Sequence, residues 1–133
     1  MIKNKIDLLY GDLTYKVRGA MINVHKVLGS GHKESVYHKA LIEEFNQQGI
    51  KYSREQNIPI EYNHVTVGTY RPDFIIEDKI VVEIKAVPFM TKNYTDQLQH
   101  YLCGSNYKLG LLVNFGEQKV VIKRIIYDQA RSA

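Results

Sequence analysis

The feature that most constrains this chain is a pair of opposite charges inside a strongly apolar segment. Residues 80–87 read IVVEIKAV, and only Glu83 and Lys85 interrupt a run of apolar, mostly β-branched residues. Such a run predicts a strand buried on at least one face, where an unpaired charge is costly. Glu83 and Lys85 are two positions apart and therefore project from the same face. Two other Glu-x-Lys triplets, at 77–79 and 117–119, lie in polar, turn-like segments.

A second apolar segment precedes this strand and predicts a hairpin. Residues 71–76 read RPDFII, and the polar residues 77–79 separate them from the run that begins at Ile80. With a three-residue loop at 77–79, Asp73 lies directly across from Glu83, with Cβ atoms about 5 Å apart. A two-residue loop would turn Asp73 to the opposite face, because side chains alternate along a strand. The pairing of the two carboxylates therefore depends on the length of this loop.

The two carboxylates predict a metal site. With the backbone carbonyl of Ile84 they form an oxygen-rich, anionic ligand set of the kind that Mg²⁺ or Mn²⁺ prefers. Lys85, on the same face, is placed to hold a phosphate or to orient a water molecule.

These residues resemble the core motif of the PD-(D/E)XK nuclease superfamily. Pro72-Asp73 and Glu83-Ile84-Lys85 match that motif, including its proline. Residues 31–37 read GHKESVY and match the signature of the GxxExxY family of the superfamily. Gln97 and Tyr101 supply the Gln-x-x-x-Tyr pattern of its RecB-like branch. The resemblance covers nearly the whole chain, with the motifs in the family's order.

The resemblance implies a metal-dependent nuclease and a role for each motif residue. It implies metal ligands at Glu34, Asp73, Glu83 and the Ile84 carbonyl, catalytic roles for Lys85, Gln97 and Tyr101, and supporting positions behind the ligands for His25 and Tyr37. In RecB-like nucleases the glutamine helps to order the metal-bound water or a phosphate, and the tyrosine supports the DNA strand. Related sequences carry a histidine three residues before the glutamine, where this chain has Tyr94.

Two of these residues also have an ordinary structural interpretation. Glu34 begins a helix predicted over residues 34–48, where an acidic first turn contributes about 0.3–1 kcal/mol through the helix dipole. Gly49 is placed to end that helix. His25 lies beside the apolar stripe of a helix predicted over residues 15–28, and a histidine there is usually a hydrogen-bonded core residue.

The Gln-x-x-x-Tyr pair falls on a helix predicted over residues 91–103, where a spacing of four puts both residues on one face. Tyr101 also continues the apolar stripe of that helix, so a core role explains it equally well. Gln97 is harder to explain as core, because a buried amide must find hydrogen-bond partners.

The order of elements predicts an α/β fold. Strands are predicted at residues 50–54, 58–62, 65–76, 80–87, 109–115 and 120–127. With the three helices, this order predicts a mixed sheet flanked by helices, with a long hairpin added at each end of the sheet. It agrees with the restriction-endonuclease-like α-β-β-β-α-β core that the resemblance implies. The 133 residues carry no internal repeat or linker-like segment, so we expect one domain over 1–133.

Composition bears on the partner and the compartment. The formal net charge of +4 fits a nucleic-acid partner, although a solvated helical face explains the same charges. Positive charge is concentrated in the first third of the chain, at Lys3, Lys5, Lys16, Arg18, Lys26, Lys33 and Lys39. The N-terminus lacks the apolar core of a secretory signal, and no segment approaches the roughly 20 apolar residues of a membrane span. We expect a cytoplasmic protein with no membrane partner.

Cysteine content excludes two kinds of site. Cys103 is the only cysteine, which rules out a disulfide framework or a four-cysteine iron–sulfur cluster within one chain. We interpret Cys103 as a small residue of the third helix.

The predicted function is hydrolysis of phosphodiester bonds in nucleic acid, with DNA favoured over RNA, by metal-activated water and without a covalent intermediate. One alternative is a non-catalytic nucleic-acid-binding or interaction domain, against which stands the complete set of motif residues. Another is a hydrolase of nucleotides or small phosphate esters, for which substrate binding would depend weakly on salt. Oligomeric state is open: one site suits nicking or exonuclease action, whereas a homodimer would supply the two sites for double-strand cleavage.

Overall fold

The computed structural model describes residues 9–127. Lys3 and Lys5, two of the positive charges in the first third of the chain, lie outside the described residues. The helices are α1 (Gly11–Leu28), α2 (Glu34–Gln48) and α3 (Lys92–Cys103). The strands are β1 (Tyr52–Arg54), β2 (Ile58–Tyr62), β3 (Val65–Tyr70), β4 (Phe74–Ile76), β5 (Ile80–Lys85), β6 (Leu109–Asn114) and β7 (Val121–Ile126). In this part of the chain no helix is both long and apolar enough to cross a membrane.

The helix boundaries follow the sequence signals closely. α2 has its predicted bounds, and Gly49 ends it with a φ of 70°, in the left-handed region that glycine adopts without strain. α1 begins at Gly11, four residues before the predicted start. The reason is that Leu13 also packs against the core and extends the apolar stripe towards the N-terminus.

The main sheet has five strands in the order β1-β4-β5-β6-β7. β1, β4 and β5 pair antiparallel, and so do β6 and β7. β5 and β6 run parallel, and α3 provides the crossover that a parallel connection requires. The predicted mixed sheet flanked by helices is therefore confirmed, as is the hairpin β6–β7 at one end of the sheet.

The sheet is covered on both faces. α1 and α2 pack against one face, where the core includes Met21, Leu41, Phe74, Ile80 and Val82. α3 and the β2–β3 hairpin pack on the other, where the core includes Tyr70, Ile75, Val81, Leu98 and Leu112. Burial on both faces explains why β5 reads as a nearly continuous apolar run. The charged residues 83 and 85 lie at the C-terminal end of β5.

The prediction of a second hairpin at the other end of the sheet is wrong, because β2 and β3 form a separate two-stranded sheet. The predicted strand over residues 65–76 is divided: β3 ends at Tyr70 and β4 begins at Phe74. Pro72 lies in this interruption and has no N–H to donate to a ladder. The break lets β3 leave the main sheet and lie over α3, and it leaves Asp73 at the start of β4.

Candidate functional site

The carboxylates of Asp73 and Glu83 face each other across β4 and β5. The register pairs Phe74 with Val82 and Ile76 with Ile80, which leaves a three-residue loop at 77–79 as predicted. Glu77 and Asp78 in that loop have positive φ values of 49° and 56°, which close the turn. One step beyond the Phe74–Val82 pair, this register sets Asp73 opposite Glu83.

Each carboxylate is held by the backbone of the other strand. Oε1 of Glu83 accepts the Asp73 N–H at 3.1 Å, and Oδ2 of Asp73 accepts the Ile84 N–H at 2.7 Å. These reciprocal bonds fix both side chains at the end of the hairpin and use one oxygen of each carboxylate, so that a second oxygen remains on each for a ligand.

The site is electrostatically crowded. Burial, followed by the charge of Asp73, raises the pKa of Glu83 to about 7. Burial also raises the pKa of Asp73, against the lowering effect of the Ile84 N–H. Glu34 is exposed as a residue, but partial burial of its carboxyl group and the charge of Asp73 raise its pKa as well. Three carboxyl groups that resist ionisation together form a site that a cation would stabilise.

Glu34 reaches this site from the first residue of α2. Packing of α2 against the sheet, through Leu41 and Phe45, brings the start of the helix towards the hairpin. The charge of Asp73 raises the pKa of Glu34 and that of Lys85 lowers it, so all three groups lie within electrostatic reach of one another. The motif residues on α2, β5 and the segment before β4 are therefore near one another.

Lys85 lies beside the carboxylates and over an aromatic ring. Its Nζ is 4.7 Å from the ring centroid of Tyr94 on α3, a cation–π contact. Its charge lowers the pKa of Glu34, Asp73 and Glu83. The contact with Tyr94 therefore limits the positions that the lysine side chain can take beside the carboxylates.

Gln97 and Tyr101 share one face of α3, as their spacing predicts. Nε2 of Gln97 donates to the Tyr101 hydroxyl at 3.3 Å. Gln97 is exposed, so the amide is not a core residue. Tyr101 is partly buried against the core on the α3 face, which agrees with the structural interpretation of its apolar stripe. Tyr101 also stacks on Tyr70, which faces Glu83, and this stack links the pair to the carboxylates.

His25 and Tyr37 lie in the packing between α1, α2 and β6. Nε2 of His25 is 2.9 Å from the Glu117 carbonyl oxygen, and its ring stacks near Phe115. The Tyr37 hydroxyl donates to the Gly29 carbonyl at 2.5 Å, and its ring stacks on Phe115 with centroids 4.5 Å apart. These contacts support the segment that leads into α2, and the histidine has the hydrogen-bonded core environment expected of it by default.

Sequence reasoning missed two residues that flank the carboxylates, Tyr70 and His38. Tyr70 is only 5% exposed, and the Glu83 charge contributes, after burial, to a raised pKa of its phenol. His38, on α2, lowers the pKa of Asp73 and of Glu34. Tyr70 resembled a core aromatic, whereas the spacing of four between Glu34 and His38 was a signal that could have placed the histidine on the same face of the helix.

A third missed feature fixes the loop between β5 and α3. Asn114 is fully buried; its amide donates to the Val87 carbonyl and to Glu117, each at 2.9 Å, and accepts the Val87 N–H at 3.0 Å. Glu117 also accepts the Met90 N–H at 3.0 Å. The triplet at 117–119, which looked like a turn segment, therefore contributes a structural carboxylate.

The donor chemistry fits a hard divalent cation. Carboxylates from α2 and from the β4–β5 hairpin lie within electrostatic reach of one another, and burial is the main cause of their raised pKa values, with the charge of Asp73 adding to it for Glu34 and Glu83. Nε2 of His38 and the Tyr70 hydroxyl are buried and have no hydrogen-bond partner of good geometry among residues 9–127. In the same residues, no three His, Cys, Asp or Glu side chains are close enough together to hold a metal ion as they stand. The ligand set therefore fits in chemistry and charge but is not fully assembled.

A cavity lies away from these residues. A groove of about 950 Å³ runs between the β2–β3 hairpin and the β4–β5 loop, at the opposite end of the hairpin from Asp73. Its lining includes Lys79, His64 and Tyr107 and none of the predicted site residues. The volume of a cavity would therefore not have identified the carboxylate site.

The mixed sheet, with a hairpin that presents two carboxylates beside a lysine, defines an α/β protein of the nuclease type. A family model of the PD-(D/E)XK nuclease superfamily matches residues 11–125, and the chain belongs to this superfamily. No match is found among curated proteins.

One solved structure with a similar fold is an alkaline exonuclease (LHK-Exo) from Laribacter hongkongensis. The TM-score is 0.53 at 12% sequence identity, over 92% of this chain and 73% of that one. At this identity the similarity shows the shared fold alone.

Proposed function

We propose that this chain forms one nuclease domain of the GxxExxY family, in the RecB-like branch and without an iron–sulfur cluster, which hydrolyses phosphodiester bonds of nucleic acid with a divalent metal. The observation that carries the proposal is the reciprocal hydrogen bonding of Asp73 and Glu83 across β4 and β5, with Lys85 beside them. Membership of the nuclease superfamily supports the same reaction class. DNA is favoured over RNA as the substrate.

Glu34, Asp73, Glu83 and the Ile84 carbonyl would hold Mg²⁺ or Mn²⁺. Such an ion acidifies water and offsets negative charge on the phosphate during hydrolysis. The hairpin contributes by presenting its two carboxylates in a fixed orientation, since each is anchored to the backbone of the other strand. These two carboxylates would therefore need little rearrangement of their own during the reaction.

Lys85 would pair with the scissile phosphate or position the attacking water. Its stack over Tyr94 limits the orientations of an otherwise flexible side chain. Gln97 would order a water or a phosphate, and Tyr101 would support the nucleic-acid strand. The hydrogen bond between Gln97 and Tyr101 couples these two positions on the exposed side of α3.

A second candidate is a nucleic-acid-binding domain that retains the fold without catalysis. One observation favours it: among residues 9–127, the carboxylates do not yet form a group able to hold a metal. In that case Lys85 and the residues of α3 would contact the phosphate backbone, and the carboxylates would serve the fold.

Calorimetric titration with Mn²⁺ tests the proposal without a guess about the substrate. Wild-type protein is compared with Asp73→Asn, and Glu61→Gln, which removes an exposed carboxylate on β2, is the control. We expect binding to wild type and to the control, and none to Asp73→Asn. The asparagine oxygen can still accept the Ile84 N–H, so the variant should remain folded.

Cleavage assays on single- and double-stranded DNA and RNA with added Mn²⁺ complete the test. We expect cleavage by wild type and by Glu61→Gln, and loss of cleavage in Asp73→Asn. Salt-sensitive binding of DNA with neither Mn²⁺ binding nor cleavage would support the non-catalytic domain instead.

A further inference from the structure

Phe89 is an exposed aromatic residue in the loop that joins β5 to α3. The loop comprises residues 86–91, between the end of β5 at Lys85 and the start of α3 at Lys92. Phe89 has 76% of its surface exposed to solvent. A single exposed apolar side chain is common on protein surfaces and needs no function. The anchoring of the loop and its place in the chain distinguish Phe89 from such a residue.

The backbone on both sides of Phe89 is anchored by side-chain hydrogen bonds. Asn114, which is fully buried, accepts the Val87 N–H at 3.0 Å and donates to the Val87 carbonyl at 2.9 Å. On the other side, Glu117 accepts the Met90 N–H at 3.0 Å. Because the segment is already ordered, little conformational freedom is lost when the ring of Phe89 binds a partner. Preorganisation of this kind favours binding.

Both ends of this loop lie beside the candidate site. Lys85, at one end, has its Nζ 4.7 Å from the ring centroid of Tyr94, in the first turn of α3. Phe89 follows Lys85 by four residues, so their Cα atoms are at most about 14 Å apart. Successive phosphates of one strand are about 3.4 Å apart along a duplex and no closer when the strand is extended. When a phosphate is bound at Lys85, a base within about four nucleotides of it can therefore reach Phe89.

A nucleobase is the partner that suits an aromatic ring in this place. Every base has a π face on which an aromatic side chain can stack, whatever the sequence. Within a continuous duplex both faces of a base are covered by its neighbours, whereas a splayed, unpaired base has a free face. Residues 86–91 read AVPFMT, so the loop itself carries no negative charge that would repel the phosphates of the strand.

We propose that Phe89 stacks on an unpaired base of the nucleic acid whose phosphate is bound at Lys85. This inference rests on the proposed nuclease function and deepens it by naming the state of the substrate strand. The site takes a single strand, or the frayed end of a duplex, in preference to continuous duplex. Because a stack does not read the edges of the bases, this preference is independent of sequence.

Tryptophan fluorescence reports the stack directly, because the chain has no tryptophan of its own. Phe89→Trp is titrated with a short DNA single strand and with a closed duplex circle, which has no ends. Ca²⁺ replaces Mn²⁺ in this titration, since it also takes oxygen ligands. We expect the single strand to quench the fluorescence and the duplex to bind at least about fivefold more weakly. Tyr15→Trp, at an 80% exposed position on α1, is the control and should be quenched much less.

Cleavage of the same single strand with Mn²⁺ gives a second readout. Phe89→Ala should raise KM about 5- to 150-fold, the range for loss of one base–aromatic stack, with a smaller change in kcat. Phe89→Trp should keep KM low, whereas Phe89→Leu, which is apolar but has no π face, should behave like alanine. Because the side chain is exposed, none of these variants should change stability in urea unfolding.

Two results would contradict the proposal in different ways. Cleavage by wild type with an unchanged KM in Phe89→Ala, together with equal quenching of Phe89→Trp and Tyr15→Trp, would overturn the role of Phe89 and leave the proposed function standing. No cleavage by wild type and no quenching of Phe89→Trp would overturn both.

Discussion

The ring of Tyr70 lies parallel to the ring of Tyr101, with centroids 3.8 Å apart and 12° between the planes. Tyr70 ends β3 and Tyr101 lies on α3, so this stack joins the separate two-stranded sheet to the helix that carries Gln97. The buried phenol of Tyr70 also faces Glu83. The hairpin outside the main sheet thus forms one wall of the candidate site.

Replacement of Tyr70 by phenylalanine should leave the stability of the fold nearly unchanged. The hydroxyl faces the Glu83 carboxylate without a hydrogen bond of good geometry, so its removal gives up only a weak contact and keeps the stack. Tyr70→Ala should instead cost about 3–5 kcal/mol, as for other large aromatic residues removed from a core. Urea unfolding of both variants measures the difference. A loss in Tyr70→Phe as large as that in Tyr70→Ala would show that the hydroxyl, not the ring, anchors the hairpin.

The raised pKa of Glu83 predicts a stability that falls with rising pH in metal-free protein. Its pKa is about 7 in the folded state, above the ordinary value of 4.5 for a glutamate. The folded protein therefore binds the proton more tightly than the unfolded chain, and stability decreases as pH rises from about 4.5 to about 7. One pKa unit corresponds to about 1.4 kcal/mol, so we expect a loss of roughly 1–3 kcal/mol.

Denaturant unfolding at pH 5 and pH 8 in a chelating buffer measures this effect. Glu83→Gln carries no titrating group at this position and should reduce the difference between the two pH values. Saturating Mn²⁺ should raise stability most at pH 8, where both hairpin carboxylates are ionised. A wild-type protein as stable at pH 8 as at pH 5 would contradict the raised pKa of Glu83.

Lys85→Ala should retain Mn²⁺ binding and lower the cleavage rate. The lysine is not a predicted ligand, and loss of one group that stabilises transition-state charge costs about 100–1,000-fold. Lys79→Ala is the matched control, because Glu77 and Lys79 form the same triplet at the other end of the hairpin. Single-turnover rates with Mn²⁺ in excess distinguish the two variants. Equal rates for Lys85→Ala and wild type would remove the lysine from the mechanism.

The centre of the candidate site could be predicted from the sequence, because burying charged residues in an apolar strand is energetically unfavourable. Charges at Glu83 and Lys85 in an apolar strand needed an explanation, and the length of the loop at 77–79 then set Asp73 opposite Glu83. Periodicity likewise predicted α2, since the apolar face of a helix is visible in the spacing of its residues.

The missed residues had signals that matched ordinary packing. Tyr70 looked like one more apolar strand residue, and its place over Glu83 depends on the departure of β3 from the main sheet. The spacing of residues cannot show that departure, because the position of β3 is determined by tertiary packing after the strand is interrupted at Pro72. Asn114 was missed for a related reason: a polar residue at the end of a strand usually marks a turn, and its partners at Val87 and Glu117 become visible only in three dimensions.

The contact between Gly116, which follows β6, and Val87, in the loop after β5, should be sensitive to mutation. A Cβ at Gly116 would lie 2.3 Å from the Val87 carbonyl oxygen, closer than any real contact, so Gly116→Ala must displace that backbone. Gly19→Ala is the matched control, because a Cβ there meets no atom of residues 9–127 within 4 Å. As a substitution inside α1, it should stabilise by about 0.5–1 kcal/mol. In thermal unfolding, Gly116→Ala should therefore lower the melting temperature and Gly19→Ala should raise it.

Asn114→Ala tests the hydrogen bonds that hold the loop after β5. It leaves the N–H and carbonyl of Val87 and the Glu117 carboxylate without their buried partner, at a cost of about 1–3 kcal/mol for each unsatisfied group. Asn114→Asp can accept the Val87 N–H but cannot donate to the carbonyl or to Glu117, so it should be no better than alanine. Because this loop leads from Lys85 to α3, either variant should also weaken the contact between Lys85 and Tyr94 and lower cleavage. Full stability in Asn114→Ala would mean that the amide network does not hold the loop.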